Sequence, residues 1–216
     1  MPRHEKIYTV LCTLFTVLTV LGNVTYRKIV TLSLGNLHTF ELSVGAILYP
    51  LTFLIMDLLT EFFGKKRATF CLKLSIAMDI GVAGAIAAMD TLQATSWSPL
   101  GNAIFHEVFG FYAIAFLGSI LALYVAQQLD IALYLSIRRV TKGRFLWLRS
   151  FGSTSIALFI DTCIVVTVLT SFNVLPLQEW HTLILNSYMF KGLCAIISIP
   201  LFYGGIAFLS HLKKEC

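Results

Sequence analysis

The chain has 216 residues, of which 57% are hydrophobic and only 12% are charged, whereas about a quarter of the residues of a soluble domain are charged. This composition excludes a soluble globular protein. The net charge of +5 does not indicate a nucleic-acid partner, because the basic residues lie in short links between apolar segments, where the rules of membrane insertion account for them.

Six apolar segments predict six transmembrane helices and therefore an all-α integral membrane protein. A bilayer core of about 30 Å takes about 20 apolar residues per helix, so six spans with their links would fill a single transmembrane domain, residues 1–216. The spans are predicted at approximately 7–24, 42–63, 72–89, 109–137, 151–172 and 187–209.

The first segment follows a short basic stretch, Met1 to Lys6, as the core of a signal peptide would. It is longer than most such cores and lacks an Ala-x-Ala cleavage pattern, so we expect it to remain as the first helix. Asn23, near its end, is a candidate for lining a polar cavity.

The second segment contains two acidic residues, Asp57 and Glu61, four positions apart and hence on one face of a helix. An ionisable group near the membrane midplane costs at least about 2.5 kcal/mol, so each needs a partner. Basic residues 65–67 at the cytoplasmic end would give a structural ion cluster; a polar cavity is the other interpretation. The third segment carries Asp79 among alanines and glycines, and its role stays open.

The link from Asp90 to Val108 is long enough to hold an interfacial helix or a re-entrant segment. In the fourth segment that follows, Gln127 and Asp130 are three positions apart and share a face. Asp130 could pair with the arginines at 138–139 or line the same cavity.

The fifth segment has Asp161 near its middle, where a carboxylate needs a partner or a water-filled cavity. Lys191, toward the outer end of the sixth segment, could be that partner or could extend its amine to the outer surface. We therefore predict that the buried charges converge on one polar cavity between the helices. Its further lining residues would be Asn23, Gln127, Asn186 and Tyr188.

The distribution of basic residues predicts that both termini are cytoplasmic, because Lys and Arg resist translocation. Each half of the chain would hold three helices, so the halves would be inverted relative to each other if they arose by duplication; their sequences show no convincing match. Thirteen of the 16 basic residues fall on the predicted cytoplasmic side: Arg3, Lys6, Lys65, Lys66, Arg67, Lys73, Arg138, Arg139, Lys142, Arg144, Arg149, Lys213 and Lys214.

Motifs for catalysis and for ATP or metal binding are absent from the sequence, so no cofactor and no metal are expected. The five cysteines lack a C-x-x-C spacing and indicate neither a disulfide framework nor a zinc site. A membrane enzyme that uses Asp57 and Glu61 as acid and base has no other support.

The block from Tyr49 to Ala68, Tyr-Pro-Leu-Thr-Phe-Leu-Ile-Met-Asp-Leu-Leu-Thr-Glu-Phe-Phe-Gly-Lys-Lys-Arg-Ala, closely resembles the queuosine precursor transporter family, also described as putative vitamin uptake transporters. Further resemblance spans most of the chain. It includes Gly22-Asn23 with Lys28, Gln127 to Asp130, Leu146 to Arg149, Ser153-Thr154, Asp161-Thr162, and Lys191 with Pro200.

The resemblance implies a bacterial inner-membrane importer of a small 7-deazaguanine base for salvage into tRNA modification: 7-cyano-7-deazaguanine, its 7-aminomethyl derivative or queuine. A guanine-like edge carries N–H donors that a carboxylate can accept in pairs, and its flat ring can stack on an aromatic side chain. Candidate hydrogen-bonding residues are Asp57, Glu61, Gln127, Asp130 and Asp161, with Asn23 and Lys191 in support, and candidate stacking residues are Phe53 and Tyr188.

The sequence departs from this family at three positions, Thr60, Ser150 and Leu158, where many relatives carry Asn, Asn and Gln. These departures leave open which of the three bases is carried, and the oligomeric state is not indicated. The alternative function is a membrane-embedded substrate-binding subunit of an ATP-driven vitamin uptake system. Residues 81–85, Gly-Val-Ala-Gly-Ala, could dock such an ATPase, although small residues also pack neighbouring helices.

Overall fold

A computed structural model describes residues 2–26, 28–34, 38–110, 112–172 and 176–214. Helices dominate it. In chain order the elements are α1 Arg3–Thr25, β1 Ile29–Leu34, β2 His38–Ser43, α2 Val44–Asp90, α3 Asn102–Phe109, α4 Tyr112–Val140, α5 Leu146–Ser171, a 3-10 turn Leu177–Glu179, and α6 Trp180–Lys214.

Within these ranges, five helices are long and apolar enough to cross a membrane: α1, α2, α4, α5 and α6. Their outer faces are suited to lipid. On α1, for example, four apolar residues three or four positions apart, Val10, Leu14, Val17 and Leu21, have exposed fractions of 45–63%. A soluble protein rarely exposes such continuous apolar patches, so the chain is a helical, multi-pass membrane protein.

Helix α2 has 47 residues, which at about 1.5 Å per residue makes it more than twice as long as a bilayer core is thick. It is interrupted at Gly64, whose φ of 79° and ψ of 170° are readily adopted only by glycine. We call residues 44–63 the first arm of α2 and residues 65–90 the second arm. The interruption directly follows the predicted end of the second segment, at 63.

The basic residues 65–67 do not form an open link but the first turn of the second arm. Arg67 Nη2 lies 2.7 Å from Glu5 Oε1 of α1. Tyr8 donates a hydrogen bond of 3.0 Å to the Arg67 carbonyl oxygen, and the Arg67 guanidinium lies 5.2 Å from the centre of the Tyr8 ring. Arg67 therefore ties α2 to α1.

Strands β1 and β2 form an antiparallel hairpin, which the all-α prediction lacked. In β2, Phe40 and Leu42 are buried while Thr39 and Glu41 are exposed, the alternation of a strand with one covered face. The Phe40 ring lies 5.8 Å from the Phe190 ring of α6. The hairpin thus covers one end of the helix bundle.

Helix packing places the first arm of α2 near the middle of the bundle. Helix α2 packs against α1, α4 and α6, and α5 packs between α4 and α6. At the crossing of α1 with the first arm, a Cβ added to Gly45 would lie 2.2 Å from the Gly22 carbonyl oxygen. The two backbones approach this closely only because Gly45 has no side chain.

The link after the second arm contains the short helix α3, as the length of this link allowed. None of its eight residues is buried. It begins beyond a turn in which the Asn102 side chain accepts a hydrogen bond of 2.8 Å from the Ala94 backbone N–H.

Candidate functional site

A cavity of about 310 Å³ lies at the end of the bundle that the hairpin covers. This volume is at the lower end of the range for small-molecule sites, about 300–1,000 Å³. The hairpin, α1, the first arm of α2, α4, α5 and α6 all contribute to its wall. Polar side chains in the wall include Asn23, Tyr49, Ser119, Asp161, Thr162 and Lys191. Apolar residues in the wall include Leu42, Val165 and Leu183.

An ion pair lies in the polar wall of the cavity. Asp161 of α5 has an exposed fraction of 1% and lies 2.8 Å from Lys191 Nζ of α6. Tyr49 of the first arm donates a hydrogen bond of 2.9 Å to the same carboxylate. A buried charge is tolerable when it is paired and hydrogen-bonded in this way. Of the two predicted fates of Lys191, pairing with Asp161 is the one that the structure shows.

Lys191 is held from three sides. Besides Asp161, its Nζ donates a hydrogen bond of 3.2 Å to Thr162 Oγ1 and lies 4.9 Å from the centre of the Tyr49 ring. The ring face adds a favourable cation–π contact. Lys191, Asp161 and Tyr49 therefore form a compact, charge-neutral group with both donors and acceptors at the cavity wall.

Elsewhere in the cavity wall, Asn23 of α1 accepts a hydrogen bond of 2.5 Å from Ser119 of α4. Asp79 of the second arm is buried beside Asn23 and Thr19. Asp79 is not among the lining residues of the cavity. Asn23, which was predicted as a site residue, therefore adds a polar side chain of α1 to the cavity wall.

A second group of charges lies farther along the same helices. We call it the polar cluster and define it as Asp57, Glu61, Gln127, Asp130, Tyr134, Arg138, Arg149, Ser150 and Thr154. It joins the first arm of α2 to α4 and α5.

Glu61 binds two arginines in this cluster. Its carboxylate lies 2.9 Å from Arg149 Nη2 and 3.3 Å from Arg138 Nη1, and accepts a hydrogen bond of 2.9 Å from Tyr134. A structural ion cluster around Glu61 is therefore present, but the predicted partners at 65–67 are wrong. The arginines come instead from α4 and α5, which pack against the first arm.

Asp57 and Asp130 lie beside each other in the cluster, where their hydrogen-bond partners Ser150 and Thr154 are one turn apart on α5. Ser150 donates a hydrogen bond to Asp57, and Thr154 donates one of 3.4 Å to Asp130. The predicted alternative, an ion pair of Asp130 with Arg138 or Arg139, is wrong within the described residues, where Arg138 contacts Glu61 instead.

Gln127 has no exposed surface, and among the residues that the structure describes neither its amide oxygen nor its amide nitrogen has a hydrogen-bond partner. Oδ2 of Asp130, on the same face of α4, is likewise unpartnered within the described ranges. Buried polar atoms are usually hydrogen-bonded. The polar cluster therefore has unused capacity to bind a ligand, a proton or water.

An apolar layer separates the cavity from the polar cluster. It consists of Phe53, Ala126, Ala157, Leu158 and Ala195. On the first arm, Phe53 comes between Tyr49 and Asp57; the layer residues of α4 and α5 likewise come between the two polar regions, and Ala195 of α6 follows Lys191. The one cavity predicted from the sequence is therefore two polar regions with an apolar layer between them.

The nine predicted site residues fall into these regions as follows. Asn23, Asp161 and Lys191 line the cavity; Asp57, Glu61, Gln127 and Asp130 belong to the polar cluster; Phe53 lies in the apolar layer. Tyr188 packs edge-on against Phe159, with ring centres 5.3 Å apart. Within the described residues neither Tyr188 nor Asn186 is part of the cavity wall, to which Ser187 contributes instead.

Sequence reasoning missed Tyr49, which contacts both Asp161 and Lys191. A signal for it exists in the spacing. Tyr49, Phe53, Asp57 and Glu61 recur every four residues and so lie along one face of the first arm. A tyrosine that continues the stripe of two buried acidic residues is a candidate for the same interior face.

Residues 43–205 match the model of a family described as putative vitamin uptake transporter. The chain belongs to this family. It is also similar to a protein of Bacillus subtilis (strain 168) named probable queuosine precursor transporter, with 28% identity over 162 residues, which are 74% of this chain and 70% of the relative. No solved structure gives a significant match.

Membership of a transporter family makes the protein a transporter and not an enzyme. The matched range contains Tyr49, Asp161 and Lys191 as well as the whole polar cluster, whereas Asn23 lies before it. Both polar regions of the bundle therefore belong mainly to the part of the chain that the family model matches.

Proposed function

We propose that this transporter imports queuosine precursors across the bacterial inner membrane, and that the cavity beside the Asp161–Lys191 pair binds them. The precursors are the 7-deazaguanine bases 7-cyano-7-deazaguanine, 7-aminomethyl-7-deazaguanine and queuine. The observation that carries this proposal is a buried, neutral group of a carboxylate, an amine and a tyrosine in a cavity of small-molecule size. The name of the relative supports the class of substrate.

The chemistry of the cavity matches the edge and the face of such a base. The guanine-like edge has adjacent N–H donors for Asp161 and a carbonyl oxygen that can accept from Lys191. Tyr49 offers an aromatic ring for the flat bicycle.

The proposed route requires six crossings with both termini in the cytoplasm. The break at Gly64 divides α2 into two arms, each of sufficient length to span a bilayer core, which together with α1, α4, α5 and α6 gives six. The strongly basic links then lie inside. The hairpin and the start of α6 lie outside, so the cavity faces the exterior and the polar cluster the cytoplasmic half. An inverted relation between the halves, 1–90 and 112–214, agrees with three spans in each.

Uptake of labelled bases by cells that lack their own importer tests the proposal. Cells that express the wild-type protein should accumulate at least one of the three 7-deazaguanines, while guanine serves as the matched control ligand because it shares the pairing edge but lacks the 7-substituent. Equal or absent accumulation of all four bases would overturn the substrate assignment.

The same experiment in proteoliposomes that contain only the purified chain addresses energy coupling through a separate ATPase. Transport without any partner is expected, because the comparisons show similarity to a transporter. A strict requirement for a second protein and ATP would contradict it.

A further inference from the structure

The polar cluster has no role in the proposed cavity, yet it contains costly buried charges. Three acidic residues, Asp57, Glu61 and Asp130, face two arginines, Arg138 and Arg149. If all five groups were ionised, the cluster would carry one unit of negative charge without a partner. Buried charge of this kind is expensive in a membrane, and a single bound proton removes it.

The geometry shows where that proton belongs. Glu61 is saturated by two arginines and a tyrosine hydroxyl. Asp57 and Asp130 instead face each other, with exposed fractions of 2% and 1%. Two neighbouring carboxylates repel each other when both are buried and ionised, and one proton relieves that repulsion and supplies a hydrogen-bond donor.

A second observation points to a ligand at the same place. Gln127, three positions before Asp130 on α4, is fully buried, and neither atom of its amide has a partner among the described residues. One Asp130 oxygen also lacks one. A site that binds and releases a proton would leave buried polar atoms without a hydrogen-bond partner in one of its states.

We propose that Asp57 and Asp130 together bind the proton whose movement drives substrate transport, so that the protein is a proton-coupled symporter. This inference rests on the proposed function for its substrate. One proton enters the pair for each base that enters the cavity, and both are released on the cytoplasmic side; no covalent bond is made or broken. The charged and titratable groups around the pair are Glu61 of the first arm, Tyr134 and Arg138 of α4, and Arg149 of α5.

The location of the pair suits this role. The pair and the cavity are separated by the apolar layer that contains Phe53 and Ala126. A rearrangement of the helices would remove polar contacts from the cluster. If the cluster carried an unpaired negative charge, that loss would be energetically unfavourable. Proton binding neutralises the cluster, and so permits the helices to rearrange only when the pair is occupied.

In proteoliposomes that contain the purified transporter, two measurements distinguish substrate binding and translocation from energy coupling. Equilibrium exchange of labelled queuine needs no gradient, whereas net accumulation does. With one proton per base, a gradient of one pH unit can sustain accumulation of about tenfold, and the wild-type protein should approach that value. Asp57→Asn and Asp130→Asn should retain exchange and lose accumulation.

Two controls distinguish coupling from damage to the fold. Asp90→Asn removes a carboxylate that pairs with His106 and lies outside both the cavity lining and the polar cluster, and should retain accumulation. Asp57→Glu keeps an ionisable group and should recover part of it. Loss of accumulation in Asp90→Asn equal to that in Asp57→Asn, or accumulation driven by a sodium gradient rather than by a pH gradient, would overturn the proposal.

A measurement without substrate keeps the test independent of the proposed function. The infrared spectrum of the purified protein at neutral pH should contain the band of a protonated carboxyl group, and Asp57→Asn or Asp130→Asn should remove intensity from that band. If neither variant does so, the proton site is wrong whatever the substrate. If the band behaves as expected but none of the three bases is exchanged, the proton site stands and the substrate assignment fails.

Discussion

At the scale of single residues, the Asp161–Lys191 pair both stabilises the fold and lines the cavity. Each side chain makes the burial of the other tolerable, and both are presented to the cavity with Tyr49. A substrate that engages the carboxylate must compete with Lys191 and Tyr49 for its oxygens. The pair therefore holds the site in order when it is empty and can exchange its internal hydrogen bonds for those of a ligand.

Neutralising one member of this pair should destabilise the protein, because it leaves the other charge buried and alone at a cost of about 3–5 kcal/mol. Asp161→Asn and Lys191→Met should each abolish uptake and lower the unfolding temperature in detergent. The double variant, Asp161→Asn with Lys191→Met, should regain most of the thermal stability but no uptake. Unchanged uptake in Asp161→Asn would assign this residue a purely structural role.

Tyr49 should contribute mainly through its ring. Stacking of a base on an aromatic side chain is worth about 1–3 kcal/mol, so Tyr49→Ala should weaken binding of a 7-deazaguanine by about five- to 150-fold. Tyr49→Phe, which loses only the hydrogen bond to Asp161, should weaken it much less. Competition binding with labelled base gives both constants, and equal losses in the two variants would contradict a stacking role.

At the scale of elements, the arrangement depends on how closely α1 approaches the first arm of α2. Their crossing at Gly22 and Gly45 also forms part of the cavity wall. Because the backbones already touch there, an added methyl group cannot be accommodated by movement of a side chain. The position of Asn23 relative to Tyr49 is consequently set by the absence of a side chain at residue 45.

Gly45→Ala should therefore separate the two helices, lower the unfolding temperature and reduce uptake. Gly84→Ala in the second arm is the matched control, because a Cβ there would have no neighbouring atom within 4 Å, and helix propensity favours alanine over glycine. Both variants would be compared by thermal unfolding in detergent and by uptake. Similar losses in the two would contradict the importance of this crossing.

At the scale of the whole molecule, two polar regions occur one below the other with a thin apolar layer between them. The upper region is an open cavity under the hairpin, and the lower is closed by the bonds of Glu61 to α4 and α5. Such an arrangement is expected of a transporter that is accessible from one side at a time.

Accessibility of introduced cysteines should show which side is open. In a variant whose native cysteines are replaced, Ser187→Cys at the cavity wall should react in whole cells with a thiol reagent that does not cross the membrane. Lys142→Cys, in the link between α4 and α5, should react only after the cells are opened. The reverse pattern would place the cavity on the cytoplasmic side and overturn the proposed orientation.

A feature of the fold or the site is predictable from the sequence when neighbouring residues determine it, and not when distant residues do. The end of the first arm at Phe63 follows from local signals, an apolar run that stops at a glycine and three basic residues. The buried charges are equally visible because any one of them is rare in a span. The hairpin has only a weak local signal, the alternation of polar and apolar residues from Thr39 to Leu42, which is too short to outweigh the long apolar run that follows it.

The partners of the charges could not be predicted in the same way. Glu61 has basic residues four to six positions away, yet binds Arg149, 88 residues farther along the chain. That pairing follows from the packing of α5 against the rest of the bundle, which local spacing does not reveal. The division of the predicted site into the cavity and the polar cluster has the same origin. It depends on how the first arm, α4, α5 and α6 are aligned along the bundle axis, which local spacing does not reveal.

The break at Gly64 gives the first arm the mechanics of a lever. Along a helix that rises about 1.5 Å per residue, Glu61 is about 4.5 Å from this pivot and Tyr49 about 22 Å. A tilt of about 10° around Gly64 would thus move Tyr49 by about 4 Å and Glu61 by less than about 1 Å. The displacement of Glu61 is small enough that it only changes its hydrogen bonds to Arg138 and Arg149. The displacement of Tyr49, beside the proposed base, is about five times larger.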